Sequence, residues 1–158
     1  MLIHIRFYKL SFLTAVFLLV CSIFSSAFTI TNLTATYQNG QVFLTWTNPN
    51  VTNLQYNVYR SASQFTSSSQ LNTNNFLGFV RDRSSKNIFW TQQSGINVFF
   101  KIHDNSAPLG SSKGLYVVTC TNNQSFFYAV TVTKLSSGTE DKTIIGGQNI
   151  LASASVET

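Results

Sequence analysis

The segment ITNLTATYQNGQVFLTWT, residues 30–47, decides the fold of this chain. β-Branched and aromatic residues, which suit a pleated sheet, lie on both sides of Asn39 and Gly40. That dipeptide accepts the positive φ angles of a tight turn between antiparallel strands. After the turn, the apolar residues at every second position share one face of a strand: Val42, Leu44 and Trp46. The segment therefore predicts two antiparallel strands joined by a tight turn, with an apolar face to bury.

The same composition continues through the rest of the chain and predicts more strands. We expect them at residues 54–60, 76–80, 87–91, 96–102, 115–120, 126–133 and 142–150. Residues 61–75 are polar except for Phe65 and Leu71, and they predict a long loop. Short strands at this density, with no helical period between them, predict an all-β sandwich or barrel.

A signal peptide is predicted at residues 1–27. Arg6 and Lys9 precede an apolar run at residues 10–24, and small residues follow it up to Ala27. This order of basic, apolar and small segments is that of a secretory signal. The alternative is a membrane anchor, but the uncharged run holds about 15 residues and a spanning helix needs roughly 20. We therefore expect a secreted, extracellular protein without a membrane span after cleavage, periplasmic or at the cell surface if its source is bacterial.

One domain, residues 28–150, is expected after cleavage, followed by a linker-like tail without a strand at residues 151–158. A domain of this size buries about two thirds of its unfolded surface. The cleaved chain keeps a single cysteine, Cys120, so an internal disulfide is excluded. Because alternation places Cys120 on the same strand face as Tyr116 and Val118, we expect a buried thiol rather than a reactive one.

Charge and ligand chemistry exclude several function classes. The formal net charge of +5 falls when Arg6 and Lys9 leave with the signal peptide, so no nucleic-acid partner is expected. His103 is then the single histidine, the acidic residues are dispersed, and no spacing typical of metal ligands occurs. No metal and no cofactor are expected.

Three motifs carry a resemblance to a known family. LTATYQNGQVFLTWTNP, residues 33–49, is similar to the first two strands of a fibronectin type III domain. YNVYR, residues 56–60, resembles the third strand of that family. YAVTV, residues 128–132, resembles its Tyr-x-Val-x-Val strand near the end. The resemblance covers residues 33–150, with a middle part that is longer than a simple sandwich needs.

The resemblance implies an immunoglobulin-like antiparallel β-sandwich. It implies a structural core formed by Trp46, Tyr56, Val58, Tyr128, Val130 and Val132. In such a sandwich the hydroxyl of Tyr128 would bond the backbone at a corner between the sheets. The extra length in the middle implies an added hairpin or loop.

As a class, such domains are structural or binding modules, and many stand beside catalytic domains in secreted proteins. The resemblance implies a non-catalytic module for protein-protein or domain docking, the accessory N-terminal part of a larger secreted protein such as an esterase or peptidase. Its partner would be a neighbouring domain or an extracellular or cell-surface protein. The alternative is a stand-alone carbohydrate- or surface-binding protein that uses outward-facing aromatic residues: Trp90, Tyr59 and Phe43. These aromatics would instead be buried if the middle insertion packs over them.

An enzyme is the class that the sequence favours least. GSSKG, residues 110–114, matches the G-x-S-x-G motif, but that motif needs a helix after Ser112 and a histidine later in the chain. A strand is predicted there, and His103 comes before Ser112. His103 and Asp104 are adjacent and point to opposite faces of an extended chain, so they do not form a triad with Cys120. No catalytic residue is predicted.

Overall fold

Two antiparallel β-sheets build this protein, seen in a computed structural model that describes residues 28–121 and 123–158. The described part is predominantly β-structure and its sheets form a sandwich, so the predicted all-β class is confirmed. The predicted signal peptide, residues 1–27, lies outside the described residues. In the part of the chain that the structure describes, no helix is long and apolar enough to cross a membrane.

Sheet A contains β1 (Thr31–Gln38), β2 (Gln41–Thr47) and β5 (Lys113–Thr119), in the order β1-β2-β5. The turn between β1 and β2 is the predicted one, since Asn39 and Gly40 have positive φ angles of 50° and 79°. The register of β2 with β5 places Gly114 directly opposite Trp46. Residues 30–47 thus supply one edge strand and the central strand of this sheet.

Sheet B contains β3 (Leu54–Ser61), β4 (Phe76–Arg81), β6 (Gln124–Lys134) and β7 (Thr139–Asp141), in the order β4-β3-β6-β7. A last strand, β8 (Ser155–Glu157), pairs with the first residues of β6. The chain crosses from one sheet to the other after β2, after β4 and after β5. The strands predicted at residues 54–60, 76–80, 115–120 and 126–133 are confirmed.

The main core lies between the two sheets. The fully buried indole of Trp46 packs against Tyr56, with ring centroids 5.5 Å apart. All residues that the resemblance implies as core lie in this cluster, and none is more than 2% exposed: Trp46, Tyr56, Val58, Tyr128, Val130 and Val132. Alternate positions of β2, β3 and β6 supply them, because each strand turns every second side chain to the core.

A second apolar cluster covers the outer face of sheet B. It joins Tyr59 and Ala129 of the sheet to Ile150 and to the loop after β3. That loop contributes Phe65 and Leu71, the large apolar residues of an otherwise polar segment, and both are buried. The long loop is therefore packed onto the sheet, and it removes part of that face from solvent.

The middle of the chain differs from the sequence prediction. Residues 87–91, predicted as a strand, form the N-cap and the first turn of helix α1 (Ile88–Ser94). Asn87 caps its start, because Asn87 Oδ1 accepts a hydrogen bond from Trp90 N at 3.1 Å. Gly95 ends it in the left-handed conformation, with φ of 70°. These two end signals outweigh the β-propensity of the aromatic residues between them.

Two other predicted strands are replaced by irregular chain. Residues 96–102 form one isolated bridge, through Phe99. Residues 142–150 form a loop in which Gly147 has φ of 70°, and the strand lies just before them, at β7. The tail at residues 151–158, for which we expect no strand, contains β8, and its Glu157 is buried. Pairing with β6 creates β8, and composition alone does not indicate that pairing.

Candidate functional site

A hairpin with a helical tip connects β4 to the chain that leads into β5. We call residues 85–101 the apolar hairpin, and its tip consists of α1, Gly95 and Ile96. Backbone hydrogen bonds join its two legs, from Asn87 N to Val98 O at 2.8 Å and from Phe100 N to Ser85 O at 2.9 Å. The apolar hairpin accounts for part of the extra length in the middle of the chain.

Polar contacts hold the apolar hairpin in shape. At its base Ser85 is fully buried and donates from Oγ to Gly110 O at 3.1 Å. Near the tip, Thr91 Oγ1 accepts a hydrogen bond from Val98 N at 3.0 Å. A seven-residue helix is too short to be stable by itself, so these contacts and the two caps determine how its side chains are presented.

The tip of the apolar hairpin exposes large apolar side chains. The exposed fractions are 51% for Ile88, 63% for Phe89, 57% for Trp90 and 67% for Ile96. The rings of Phe89 and Trp90 meet in a T-shaped arrangement with centroids 5.5 Å apart. No residue of α1 is buried. Trp90, predicted as a binding residue, therefore belongs to an exposed apolar surface.

An open groove of about 590 Å³ lies between sheet A and the base of the apolar hairpin. On the sheet side, Phe43 of β2 and Val117 of β5 stand opposite each other. On the hairpin side, Phe100 completes an apolar surface, and both Phe100 and Val117 are 40% exposed. The other lining residues are Gln41, Val80, Ser84, Lys101, Leu115 and Tyr116. Phe43, the second predicted binding residue, thus lines a concave surface of the kind that binds a partner or ligand.

Tyr59, the third predicted binding residue, lies on neither surface. Alternation turns it away from the main core, as expected, but the packed loop after β3 covers it and it is 4% exposed. Its hydroxyl donates a hydrogen bond to Glu140 Oε1 at 2.6 Å. The sequence contains a signal for the burial of Tyr59: the two apolar residues of that loop, which anchor the loop over the sheet.

A polar network around Glu140 ties the outer face of sheet B together. Thr131 donates to the same carboxylate oxygen as Tyr59, and Lys142 Nζ lies 3.5 Å from the other oxygen. Burial raises the pKa of Glu140, but hydrogen bonds from Thr131, Tyr59 and Asn57 and the charge of Lys142 outweigh burial and lower it. The carboxylate is therefore held in its ionised form.

Cys120 follows β5 and is partly buried. Burial raises the pKa of Cys120 to about 11, with a further contribution from Glu157 of β8. The thiol is therefore protonated at neutral pH, where only a thiolate would be a strong nucleophile. Glu157 also accepts a hydrogen bond from the Tyr128 hydroxyl, for which the resemblance implies a backbone partner. Sequence reasoning missed Glu157 because it lies in the tail.

The G-x-S-x-G motif lies in a turn that leads into a strand. Ser112 directly precedes β5, so the helix that a nucleophile elbow needs is replaced by a strand. Gly114 has a packing role, because a β-carbon there would lie less than 3.0 Å from atoms of the Trp46 ring. His103 lies in an exposed loop. Among residues 28–121 and 123–158, no group of three His, Cys, Asp or Glu side chains is placed to hold a metal ion.

The fold and the exposed surfaces define an all-β sandwich that displays apolar side chains on a hairpin and in a groove. No family model, no curated protein and no solved structure matches the chain. Its function is therefore inferred from the geometry of its own residues.

Proposed function

We propose that this protein is an exported, non-catalytic module of the fibronectin type III type. The sheet order supports the proposal, because the chain crosses repeatedly between β1-β2-β5 and β4-β3-β6-β7, as in Greek-key sandwiches of the immunoglobulin type. The placement of Trp46 and Tyr128 in the main core agrees with the motifs that carry the resemblance. The Tyr128 hydroxyl departs from the family pattern, because its partner is a side chain.

The module docks another protein or a neighbouring domain, and the groove is the observation that carries this proposal. Phe43, Val117 and Phe100 form a concave apolar surface that water can reach. Gln41 and Lys101 add polar groups to its lining. An exposed apolar surface rimmed by polar groups marks an interaction site, and a concave one takes an apolar side chain of the partner.

Site-specific photo-crosslinking tests the docking role. A photoreactive amino acid replaces Phe100 in the groove and, as a matched control, Phe79, which is 53% exposed on β4. Phe79 alternates with the groove residue Val80 and therefore faces away from the groove. We expect a discrete conjugate with one extracellular protein, or with a further domain of the same chain, from position 100 only. Adding Val117→Arg should abolish it.

Equal conjugates from positions 79 and 100, or no conjugate from position 100, would contradict the docking role. The accessory role, as the N-terminal part of a larger secreted protein such as an esterase or peptidase, is part of the same proposal and rests on the resemblance. Sequencing the complete transcript tests it, and a catalytic domain in the same reading frame is the expected result.

A second candidate function is carbohydrate binding by a stand-alone protein, and the exposure of Trp90 favours it. An indole ring in water offers a platform on which a sugar ring can stack. A glycan array probed with the wild-type protein and with Trp90→Ala tests this function. Glycan binding that survives Trp90→Ala would remove Trp90 as the platform.

A further inference from the structure

The tip of the apolar hairpin differs from the groove in shape and surroundings. The groove is concave and carries polar lining residues, whereas the tip is a single short helix and the residue after its cap. Each of its four large apolar side chains is more than half exposed: Ile88, Phe89, Trp90 and Ile96. No charged residue occurs in residues 87–100. An exposed apolar surface of this kind marks an interaction with a partner or a membrane.

Positive charge exceeds negative charge in the segments that flank the uncharged residues 87–100 of the apolar hairpin. Lys86 and Lys101 stand directly outside the uncharged segment, one on each leg. Within the described residues neither lysine forms a salt bridge. Two acids lie in the flanking segments. Asp82 already accepts hydrogen bonds from the Tyr56 hydroxyl and from a backbone N–H, and Asp104 follows Lys101 by three residues. Two arginines add to the positive charge just before the first leg: Arg81 and Arg83.

We propose that the apolar hairpin attaches the protein to an anionic lipid surface. Phe89 and Trp90 enter the interfacial layer, where aromatic side chains are favoured. Lys86 and Lys101, a few residues behind the tip, contact the anionic headgroups. This attachment is peripheral. It goes beyond the docking role, which uses the groove, so each can fail without the other.

Shape and charge together favour a lipid surface over a protein partner. A protein would need a groove that receives four exposed apolar side chains and an acidic rim to meet the lysines. An anionic bilayer has negative headgroups at its surface and an apolar interior below them. This order matches lysines that lie behind an apolar tip, and it requires no preformed groove. The hydrogen bonds of α1 and its two caps satisfy part of the backbone of the tip, which lowers the cost of leaving water.

Vesicle flotation tests the proposal with the protein secreted from its full reading frame. One set of vesicles contains phosphatidylcholine and phosphatidylglycerol in equal amounts, and the other contains phosphatidylcholine alone. We expect the protein to float with the anionic vesicles and to be released by high salt. The emission of Trp90 should move to shorter wavelength on binding, over a constant background from buried Trp46. Intact mass shows whether residues 1–27 are present, and all variants share the same N-terminus.

Two double variants separate the apolar and the charged contributions. Phe89→Ala with Ile96→Ala keeps Trp90 as the reporter, and it should weaken binding to anionic vesicles about tenfold or more, since each residue loses most of its buried apolar area. Lys86→Gln with Lys101→Gln should weaken it about fivefold for each lysine. Phe79→Ala removes a similarly exposed ring from β4 and should bind like the wild type.

Three results would overturn the proposal. The wild-type protein could fail to float with anionic vesicles, and a conjugate from a photoreactive residue at the tip would then assign the tip to a protein partner. Phe79→Ala could weaken flotation as much as the tip variant does. The lysine variant could keep the full preference for anionic over neutral vesicles. Circular dichroism of each variant ensures that a loss of binding is not a loss of fold.

Discussion

Replacing Gly114 by alanine should destabilise the protein although it adds a single methyl group. A β-carbon at this position would lie less than 3.0 Å from three atoms of the Trp46 indole: Cε2, Nε1 and Cζ2. The ring would have to move by about 1 Å or more to regain the normal carbon separation of about 3.5–4.0 Å. Trp46 is fully buried against Tyr56, so it has no room to move without displacing the core.

The size of the effect follows from the rigidity of that ring. Overpacking a core costs about 1–3 kcal/mol, and a buried indole clashing through three atoms places Gly114→Ala near the upper end. A loss of about 3 kcal/mol is a large part of the roughly 5–15 kcal/mol that stabilises a typical domain. It should lower the Tm by roughly 10 °C. Urea unfolding followed by circular dichroism measures the change in the free energy of unfolding.

The same sequence motif supplies a matched control. Gly110→Ala adds the same methyl group four residues earlier, where nothing lies within 4 Å, and should leave stability unchanged or slightly raised. Gly78→Ala should cost less than Gly114→Ala, because its nearest neighbour, at 2.5 Å, is the hydroxyl end of the Tyr116 side chain. If Gly114→Ala unfolds like the wild type, Trp46 does not pack on Gly114 and the register of β2 with β5 is wrong.

The remaining predictions concern pH, the thiol and the helix cap. The pKa of Glu140 is lowered in the folded protein, so the stability contributed by its carboxylate is present above its ordinary pKa of about 4.3 and is lost as the pH falls through the folded-state value. Urea midpoints of the wild type and Glu140→Gln should therefore differ at neutral pH and converge in acid, and a constant difference would count against this network. Because the pKa of Cys120 is raised to about 11, its thiol should react with a disulfide reagent at neutral pH far more slowly in the folded protein than in urea, and equal rates would show an accessible thiolate. Asn87→Ala removes the cap of α1 and should cost about 1 kcal/mol of local stability, seen as faster amide exchange in α1 but not in β2. Unchanged exchange in α1 would exclude that role for the cap.

The strands of the sandwich were predictable because their pattern is local. In β2 the alternation of Val42, Leu44 and Trp46 and the turn before it are visible within a few residues. Helix α1 was not, because its aromatic residues favour a strand and the outcome depends on the caps at Asn87 and Gly95. Strand β8 was not predictable either, since it exists by pairing with β6, which is distant in sequence.

The candidate surfaces were predictable in part. Sequence alternation predicts Trp90 and Phe43 as outward aromatics, and both lie on exposed or open surfaces. The same rule predicts Tyr59 as an outward aromatic, but alternation describes only which face of a sheet a residue takes and not whether a loop covers that face. The groove itself was not visible in the sequence, because Phe43, Phe100 and Val117 come from three separate segments.

The two tryptophans test most directly whether the chain holds its sandwich together with one aromatic residue and displays another for binding. Acrylamide quenching of Trp90→Phe reports on Trp46 alone, and quenching of Trp46→Phe reports on Trp90 alone, once circular dichroism shows that both variants are folded. Trp46 is fully buried and Trp90 is 57% exposed, so we predict short-wavelength emission with little quenching for Trp46 and long-wavelength emission with strong quenching for Trp90. Equal quenching of the two tryptophans, or stronger quenching of Trp46, would contradict the account.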